Sequence, residues 1–526
     1  MRRMILFGAA AVLLAAGVAG SVTSRAAASP RAPSPAADGR AISYHSGAVA
    51  LAGTVNVAAL PRYSPSTTRG AIRIPLRRGP QSSAGAASAS PGGTSRAGPL
   101  VTVTPGTPLS GTLGDGNNST QLTPPDMGFS ANGTKEVEFV NVVGKIWTGP
   151  TPGTAFSLAN FFSPGSPGDF LSDPWIKWDE GSGRFFAGIF DVTLGGEIMA
   201  VSQTSDPAGS WFLYRIRYPS TAGGITAGGC PDQGKGGVDN NVVALGFNEF
   251  ATSGVAGCPA TAPLRGAALE VFNKSQMLAG SATLNFVFTD PMPGRFSLVP
   301  ADTLTASATT EFFSSLDPGT GTVLHRTTST GVPPAPVTLT PLPDITVPGY
   351  SNPPKATQQG TTSKIDAGDD RTQNVVALGS KMTVTATVGC KPSGDTAKRS
   401  CGRVYEVNNA TNTLKKSLTI ASAGSYFFYP AATFVGTTEV GVSIGRSSST
   451  EFGSLYTTAG TFGGALAAPV LVKAGTATNT TKRYGDYFAA APQPGTTSQF
   501  WVAGEIGGNS GTTLKWNTAA ALVTAS

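Results

Sequence analysis

The chain has 526 residues, of which 67 are glycine, 40 are proline and only 13% are charged. This composition favours many short strands joined by turns and argues against a helical enzyme. The net charge of +7 comes from scattered lysines and arginines that form no basic stripe with interleaved aromatic residues, so we do not expect nucleic-acid binding.

The N-terminus has the pattern of a secretory signal peptide over residues 1–28. Two arginines follow Met1, an apolar run extends from Ile5 to Ala19, and three consecutive alanines end at Ala28. The run is short for a membrane span, and uncleaved attachment to the envelope is the alternative interpretation. We therefore predict secretion to the extracellular space or the periplasm, with no integral membrane segment beyond the signal peptide.

Residues 29–99 are a low-complexity mixture of Ala, Pro, Ser, Gly and Arg. Such a segment contains too little apolar surface to offset the entropy of ordering the chain. The sequence therefore predicts a disordered spacer that leads to a folded domain over 100–526.

The segment 173–217 predicts four short antiparallel strands, which together make one blade of a β-propeller. Aromatic and β-branched residues fill the predicted strands at 175–178, 184–190, 197–203 and 211–217, and Gly, Pro, Asp or Ser separate them. The turn after the first strand contains Asp179 and glycines, which tolerate the positive φ angles of a tight hairpin.

Units of the same shape recur along the chain. An acidic residue near the start of a first strand is followed 17 to 19 positions later by another at the end of the second strand, as in Asp173 and Asp191, Asp232 and Glu249, and Asp486 and Glu505. The repeats fall at 124–162, 173–217, 231–289, 293–344, 366–421, 426–475 and 484–526. We predict an all-β, monomeric, seven-bladed β-propeller in which residues 100–104 supply the last strand of blade seven and 343–364 form a surface loop.

The four cysteines allow three disulfide pairings, and secretion is compatible with disulfides. Cys230 precedes the first strand of blade three and Cys258 follows its second strand, while Cys390 and Cys401 flank the turn after the second strand of blade five. The start of one strand and the end of its hairpin partner lie at the same edge of a sheet. We therefore predict the pairs 230–258 and 390–401.

Several stretches resemble bacterial secreted proteins with sialidase-like β-propeller folds. They are Pro124–Gly128, Asp173-Pro174 with Asp179, Ser202–Pro207, Phe247–Phe250, Tyr429–Ala432, and Arg483–Tyr487 with Phe500–Glu505. Residues 204–211 are similar to the Asp-box of such propellers, in which an Asp side chain caps the turn between the two outer strands and an aromatic residue anchors it; an ordinary Asx-turn with an exposed Trp211 is the alternative. The resemblance implies a fold and an extracellular location, and it implies no particular activity.

Charged residues at the ends of the predicted strands form the candidate ligand-binding site. Aspartates at positions 126, 173, 232, 370 and 486 begin first strands, and acidic residues at 191, 249 and 505 end second strands, so all are expected to face one opening of a central channel. With two arginines, the set is Asp126, Asp173, Asp191, Asp232, Glu249, Asp370, Arg446, Arg483, Asp486 and Glu505. The structural alternative is that these aspartates cap turns and bond amides between neighbouring blades.

Two functions are compatible with this set of residues. The first is a non-catalytic propeller that binds an extracellular glycan or protein, without a required cofactor, although carboxylates of this kind suit calcium. The second is a glycoside hydrolase of the sialidase-like type, for which Arg371, Arg403 and Tyr484 are further candidates. Convergence of two or three arginines with a Tyr–Glu pair in one pocket would favour the enzyme, whereas an opening lined by carboxylates and backbone would favour binding.

Other catalytic signatures are not expected. The chain has only two histidines, His45 in the predicted spacer and His325 in a third strand, which argues against a Ser-His-Asp triad. The stretch 229–235 imitates a phosphate-binding loop, but Gly236 stands where that motif needs Ser or Thr, so we expect an ordinary loop.

Overall fold

A computed structural model describes residues 29–30, 34–35, 41–64, 72–73, 101–114, 122–163, 170–192, 195–217, 229–251, 262–481, 483–508 and 516–526. The fold is all-β, as the composition predicts. Helices in these ranges are limited to Leu158–Phe162, Lys274–Leu278 and the 3₁₀ turn Val57–Ala59, and none of them has the length and apolar character needed to cross a bilayer. The predicted signal peptide lies outside the described residues.

The described strands form seven antiparallel groups in chain order, which we call units one to seven. Unit one contains Gly128–Ala131, Lys135–Val140, Val143–Thr148 and Thr151–Pro152, and unit two contains Leu171–Asp179, Arg184–Asp191, Gly196–Ser202 and Ser210–Arg217. Unit three contains Gly229–Val238, Val242–Ala251, Leu264–Asn273 and Thr283–Phe288, and unit four contains Val299–Pro300, Thr310–Leu316, Thr320–Thr330 and Thr338–Pro341.

Units five to seven complete the series. Unit five contains Thr372–Leu378, Lys381–Cys390, Arg399–Asn408 and Thr413–Ile420, and unit six contains Ser425–Val435, Glu439–Ser448, Glu451–Thr461 and Val470–Lys473. Unit seven contains Ala489–Pro492, Gln499–Gly507, Trp516–Ala525 and, from far earlier in the chain, Val103–Pro105. The remaining short strands are Ser29–Pro30, Ser34–Pro35, Ala41–Ile42, Ile72–Arg73, Leu122–Thr123, Phe156–Ser157 and Asp302–Thr303.

Unit two shows why these segments fold as predicted. Its first hairpin turns at Asp179, whose carboxylate accepts a hydrogen bond from the backbone N–H of Ser182 at 2.9 Å, and at Gly183, whose φ of +63° suits glycine. The register pairs Asp179 with Arg184 and Leu171 with Asp191. Antiparallel pairing therefore brings the end of the second strand beside the start of the first.

The strand Val103–Pro105 completes unit seven. Val103 pairs with Ala525, Thr104 with Thr524 and Pro105 with Val523. The region just after the predicted spacer therefore supplies the fourth strand of the last unit, as the sequence predicts.

The sheets are not seven separate blades, which is a difference from the prediction. The strand His45–Asn56 pairs along residues 45–50 with Thr283–Phe288 of unit three and along residues 51–56 with Ser210–Arg217 of unit two. The short strand Asp302–Thr303 pairs in parallel with the first strands of units three and five. These two connections join units two, three and five into one 15-stranded sheet.

The prediction of a disordered spacer is wrong for His45–Asn56. Buried or half-buried residues alternate with exposed residues along most of this strand. Val55 is buried, and Val49 and Leu51 pack against a core. Gly47 allows a close approach, since a Cβ there would lie 2.4 Å from the ring of Phe286. Averaged composition conceals this short alternating pattern inside a low-complexity segment.

The predicted surface loop at 343–364 is also wrong in part. Ile345–Ser351 is a strand that pairs with Thr320–Thr330 of unit four. Ile345, Val347 and Tyr350 are buried in the core shared with unit five. This burial explains why the segment is ordered despite its prolines.

The hydrophobic cores lie between successive units, and the last unit packs against the first. Each core draws buried side chains from two neighbours. Representative pairs from units one and two onward are Phe139 and Ile189, Phe186 and Phe272, Leu269 and Phe313, Leu324 and Val384, Val404 and Phe434, Phe428 and Phe500, and, between units seven and one, Trp501 and Phe129.

Cys390 and Cys401 form a disulfide, as predicted. It links the end of the second strand of unit five to the third strand. Cys230 is also disulfide-bonded, and its predicted partner Cys258 lies outside the described residues.

Candidate functional site

The backbone has the same unusual conformation where most units begin. Six non-glycine residues at or just before a first strand have φ angles between +49° and +63°, and they are Asp126, Asp173, Gln233, Ser297, Tyr429 and Asp486. In units two, three and six the strand register shifts directly after this position, as in a β-bulge. The bulge changes the direction of the strand near its start in these three units. The positive φ angle itself recurs in six units.

Polar side chains of one unit hold this position in the next. The Asn141 side-chain oxygen accepts from the backbone N–H of Asp173 at 2.9 Å. Asn248 accepts in the same way from Ser297 at 2.7 Å, and Thr387 accepts from Tyr429 at 2.8 Å. The opening strands of units two, four and six are therefore bonded to the second-strand ends of units one, three and five.

A set of charged side chains converges where the first strands begin. We call it the central cluster, and its members are Asp126, Asp173, Asp232, Lys235, Arg371, Arg483, Asp486 and Tyr487. They come from units one, two, three, five and seven or from the turns that lead into these units. The four aspartates are between 1% and 9% exposed. Five of the ten predicted ligand-binding residues thus lie together.

Burial and mutual repulsion alter the protonation of this cluster. Burial, together with the nearby charges of Asp232 and Asp486, raises the pKa of Asp173 to about 7, while Lys235 opposes the increase. Burial likewise raises the pKa of Asp126, with Asp486 and Asp173 adding to the effect. A carboxyl with a pKa near 7 exchanges its proton in the neutral range.

The cations of the cluster are held by different means. Burial lowers the pKa of Lys235, although Asp173 and Asp126 act in the opposite direction, and its ammonium group lies over the ring of Tyr487. Arg371 pairs with Asp369, with Nη2 2.7 Å from Oδ2. Arg483 pairs with Asp486 through two bonds, one of them 3.0 Å between Nη1 and Oδ1. Each arginine therefore already has a local carboxylate partner.

Four of the other predicted residues make contacts outside the cluster. Asp191 lies 3.7 Å from Arg215, Glu249 lies 2.9 Å from Arg265, and Arg446 lies 3.0 Å from Glu451. Asp370 accepts from the backbone N–H of Gly319 at 2.9 Å. They join strands and turns instead of facing the cluster.

Glu505 lies beside the cluster and supports it. Its carboxylate accepts from the backbone N–H of Gly485 and from the Asn479 amide, the latter at 3.0 Å. Burial raises the pKa of Glu505 above its ordinary value. The bond to Gly485 fixes the turn between Arg483 and Asp486.

The sequence did not single out Lys235 or Tyr487 for the site. Lys235 stands in the glycine-rich stretch that imitates a phosphate-binding loop, and Tyr487 ends the Arg483–Tyr487 motif. The only signal was the position of both residues shortly after a predicted strand-opening Asp, three positions after Asp232 for Lys235 and one after Asp486 for Tyr487. Both line a narrow cavity of about 70 Å³, together with Trp175, Lys177 and other first-strand residues.

The residues expected of a sialidase assemble only in part, since Arg371 and Arg483 lie in the central cluster whereas Arg403 and Arg446 make other contacts. Arg403 donates to the hydroxyl of Ser417 at 3.0 Å, and Arg446 pairs with Glu451. The Tyr484 hydroxyl donates to the backbone carbonyl of Glu505 instead of its carboxylate. Among the described residues, no group of three or more His, Cys, Asp or Glu side chains is placed to hold a metal ion.

The turn that resembles an Asp-box lies between the third and fourth strands of unit two. The Asp206 carboxylate accepts from the backbone N–H of Ala208 at 3.0 Å. Trp211 is 1% exposed, and its ring N–H donates to the Pro207 carbonyl at 2.9 Å. The alternative of an exposed Trp211 is therefore wrong, since the indole anchors the turn.

Several solved structures are similar to this chain at low identity. A mutant of NanB sialidase from Streptococcus pneumoniae is 9% identical, with a TM-score of 0.38 over 76% of this chain and 82% of that chain. An ulvan lyase of a polysaccharide lyase family is 11% identical, with a TM-score of 0.33 over 79% and 93%. The WD40 domain of SCAP from fission yeast is 8% identical, with a TM-score of 0.33 over 78% and 83%. No protein-family model and no curated protein matches the chain.

Proposed function

We propose that residues 100–526 form a seven-bladed, sialidase-like β-propeller that is secreted and binds an extracellular ligand without catalysis. The packing of unit seven against unit one, the closing strand Val103–Pro105 and the repeated bulges support the ring. The disulfide is compatible with an oxidising compartment. The predicted signal peptide belongs to this proposal.

The convergence of charged side chains in the central cluster is the observation that supports a ligand-binding function. Four aspartates and three cations from five units meet at one end of the first strands, where a short polar group of a glycan or a protein ligand can exchange hydrogen bonds with them. The arginines are already paired with Asp369 and Asp486, and the Tyr484 hydroxyl is bonded to backbone. This arrangement suits recognition better than a carboxylate-binding arginine triad.

The second candidate is glycoside hydrolysis, which one observation favours. Asp173 has a pKa of about 7 and lies beside Tyr487, and a protonated carboxyl is what a general acid requires. Release of methylumbelliferone from a panel of methylumbelliferyl glycosides tests this candidate. Turnover that Asp173→Asn abolishes would establish the enzyme and overturn the non-catalytic proposal.

A glycan and protein array probed with the full exported chain tests the binding proposal. Asp173→Asn keeps the shape of the side chain and tolerates positive φ, so we expect the fold to persist and array binding to fall at least about tenfold. Asp206→Asn, in the same unit but with a side chain 54% exposed, is the matched control and should bind normally. Equal binding by the two variants would contradict the proposal.

A further inference from the structure

A larger cavity opens at the opposite end of the first strands. Its volume is about 310 Å³, at the lower end of the range of about 300–1,000 Å³ typical of small-molecule sites. The turns after the first strands of units two, four, six and seven surround it, with contributions from units three and five. The polar lining consists of Trp178, Asp179, Glu180, Asp302, Thr303, Gln493, Thr496 and Thr497.

Two buried polar groups at this cavity have no hydrogen-bond partner among the described residues. They are the ring N–H of Trp178 and the hydroxyl of Thr303, and Thr303 is only 9% exposed. A buried polar group without a partner is unfavourable by about 1–3 kcal/mol, and native structures contain few of them. A rotation of either side chain towards the cavity would allow a hydroxyl group of a bound molecule to satisfy it.

The charges at the cavity select against anions. Asp179 pairs with Lys274 at 2.6 Å, and Asp302 lies 3.4 Å from Lys177. The two lysines neutralise the carboxylates of Asp179 and Asp302. The charge of the exposed Glu180 therefore leaves the cavity lining negative. Carboxylate oxygens accept hydrogen bonds from neutral hydroxyls and repel acidic ligands.

The rest of the lining is apolar. Phe434, Leu304, Leu378 and Val238 surround the polar groups, and the Trp178 ring packs against Phe185 with 4.8 Å between centroids. A ligand that fits has one apolar surface and several hydroxyls that both donate and accept. A neutral sugar ring has this combination.

We propose that this cavity is a binding site for a neutral mono- or disaccharide, distinct from the central cluster. After such a rotation Trp178 and Thr303 donate hydrogen bonds to the sugar, Glu180 and Asp302 accept from its hydroxyls, and Phe434 with Leu304 contacts its C–H surface. The site does not depend on the binding function proposed for the central cluster.

Saturation-transfer NMR of the full chain with glucose, galactose, N-acetylglucosamine, cellobiose and glucuronic acid tests the proposal, followed by calorimetry on the tightest binder. We expect at least one neutral sugar to bind and glucuronic acid to bind more weakly. Thr303→Val removes the hydroxyl at constant shape and should lower affinity by about tenfold. Glu180→Gln, at an exposed position, should reduce the discrimination against glucuronic acid.

Thr383→Val is the matched control, because the Thr383 hydroxyl is also buried and unpartnered within the described residues but lies outside the cavity lining. It should bind the sugar normally. Failure of every neutral sugar to bind, tighter binding of glucuronic acid, or equal affinities for Thr303→Val and Thr383→Val would overturn the proposal.

Discussion

The Tyr484 hydroxyl donates a hydrogen bond to the backbone carbonyl of Glu505, with 2.7 Å between the oxygens. Tyr484 is fully buried, and the carboxylate of Glu505 points instead to Gly485 and Asn479. The two residues that would form a nucleophile and its helper in a sialidase are thus neighbours through the main chain. Their contact closes the turn that carries Arg483 and Asp486.

Tyr484→Phe should therefore affect stability and not ligand binding. Loss of the hydroxyl leaves a buried carbonyl without this partner, so we expect the free energy of unfolding in urea to fall by about 1–3 kcal/mol. Tyr405→Phe is the control, because the buried Tyr405 hydroxyl has no hydrogen-bond partner in the described part of the chain and its removal should be neutral. Intact stability combined with loss of a glycosidase activity would instead assign Tyr484 to catalysis.

The raised carboxyl pKa values predict that stability falls as pH rises. The pKa of Asp173 is about 7 in the folded protein against 3.8 for the ordinary group, so the folded state binds the proton more tightly. Its contribution is fully present below about pH 4 and is lost as the pH passes through 7, on the order of a few kcal/mol. Glu138, with a pKa raised by burial to about 7, acts in the same direction.

Melting curves between pH 4 and pH 8 measure this effect. Asp173→Asn mimics the neutral acid, so its melting temperature should decline less steeply than that of the unaltered protein and should match or exceed it at pH 8. A steeper decline in the variant would contradict the assigned direction of the pKa shift.

Leu51→Pro should weaken the joint between units two and three. The Leu51 backbone N–H donates to the carbonyl of Ala282 at 3.2 Å, and proline removes this donor at the point where the strand passes from unit three to unit two. We expect a loss of at least about 1–3 kcal/mol in urea unfolding. Leu51→Ala keeps the N–H and should lower the free energy of unfolding by less. Equal losses in the two variants would mean that the strand contributes to stability through its side chains alone.

Asn141→Ala should uncouple unit one from unit two. The Asn141 amide donates to Asp126 at 2.6 Å and to the Pro124 carbonyl at 2.8 Å, and its oxygen accepts from Asp173. Because all of these groups are buried, we expect at least about 1–3 kcal/mol of destabilisation. Asn240→Ala, at an exposed turn, provides the comparison and should change unfolding by less than about 0.5 kcal/mol.

Local patterns were sufficient to predict the strands and much of their grouping. Alternating apolar residues with glycine turns located the four strands of unit two, and the spacing between Asp173 and Asp191 corresponds to one hairpin whose ends meet. The pairing of Cys390 with Cys401 follows from the same hairpin geometry.

The side-chain partners of the site were less predictable. Convergence of Asp173 with Lys235 and Tyr487 depends on contacts between units two, three and seven, which no local periodicity encodes. Asp191 and Glu249 lie at the expected strand ends, yet each pairs with an arginine of its own unit, Arg215 on the fourth strand or Arg265 on the third. Position along a strand therefore predicts the edge of the sheet and does not predict the direction of the side chain.

The pairing of Val103–Pro105 with Trp516–Ala525 has a consequence for the order of folding. Residues more than 400 positions apart must meet before the sheet of unit seven is complete, so this sheet cannot be completed until residue 525 has been synthesised. A nascent polypeptide of this sequence accordingly keeps an incomplete sheet edge until that residue has been added, and contacts of such long range are slow to form. Completion of unit seven is therefore a late step in the folding of this polypeptide.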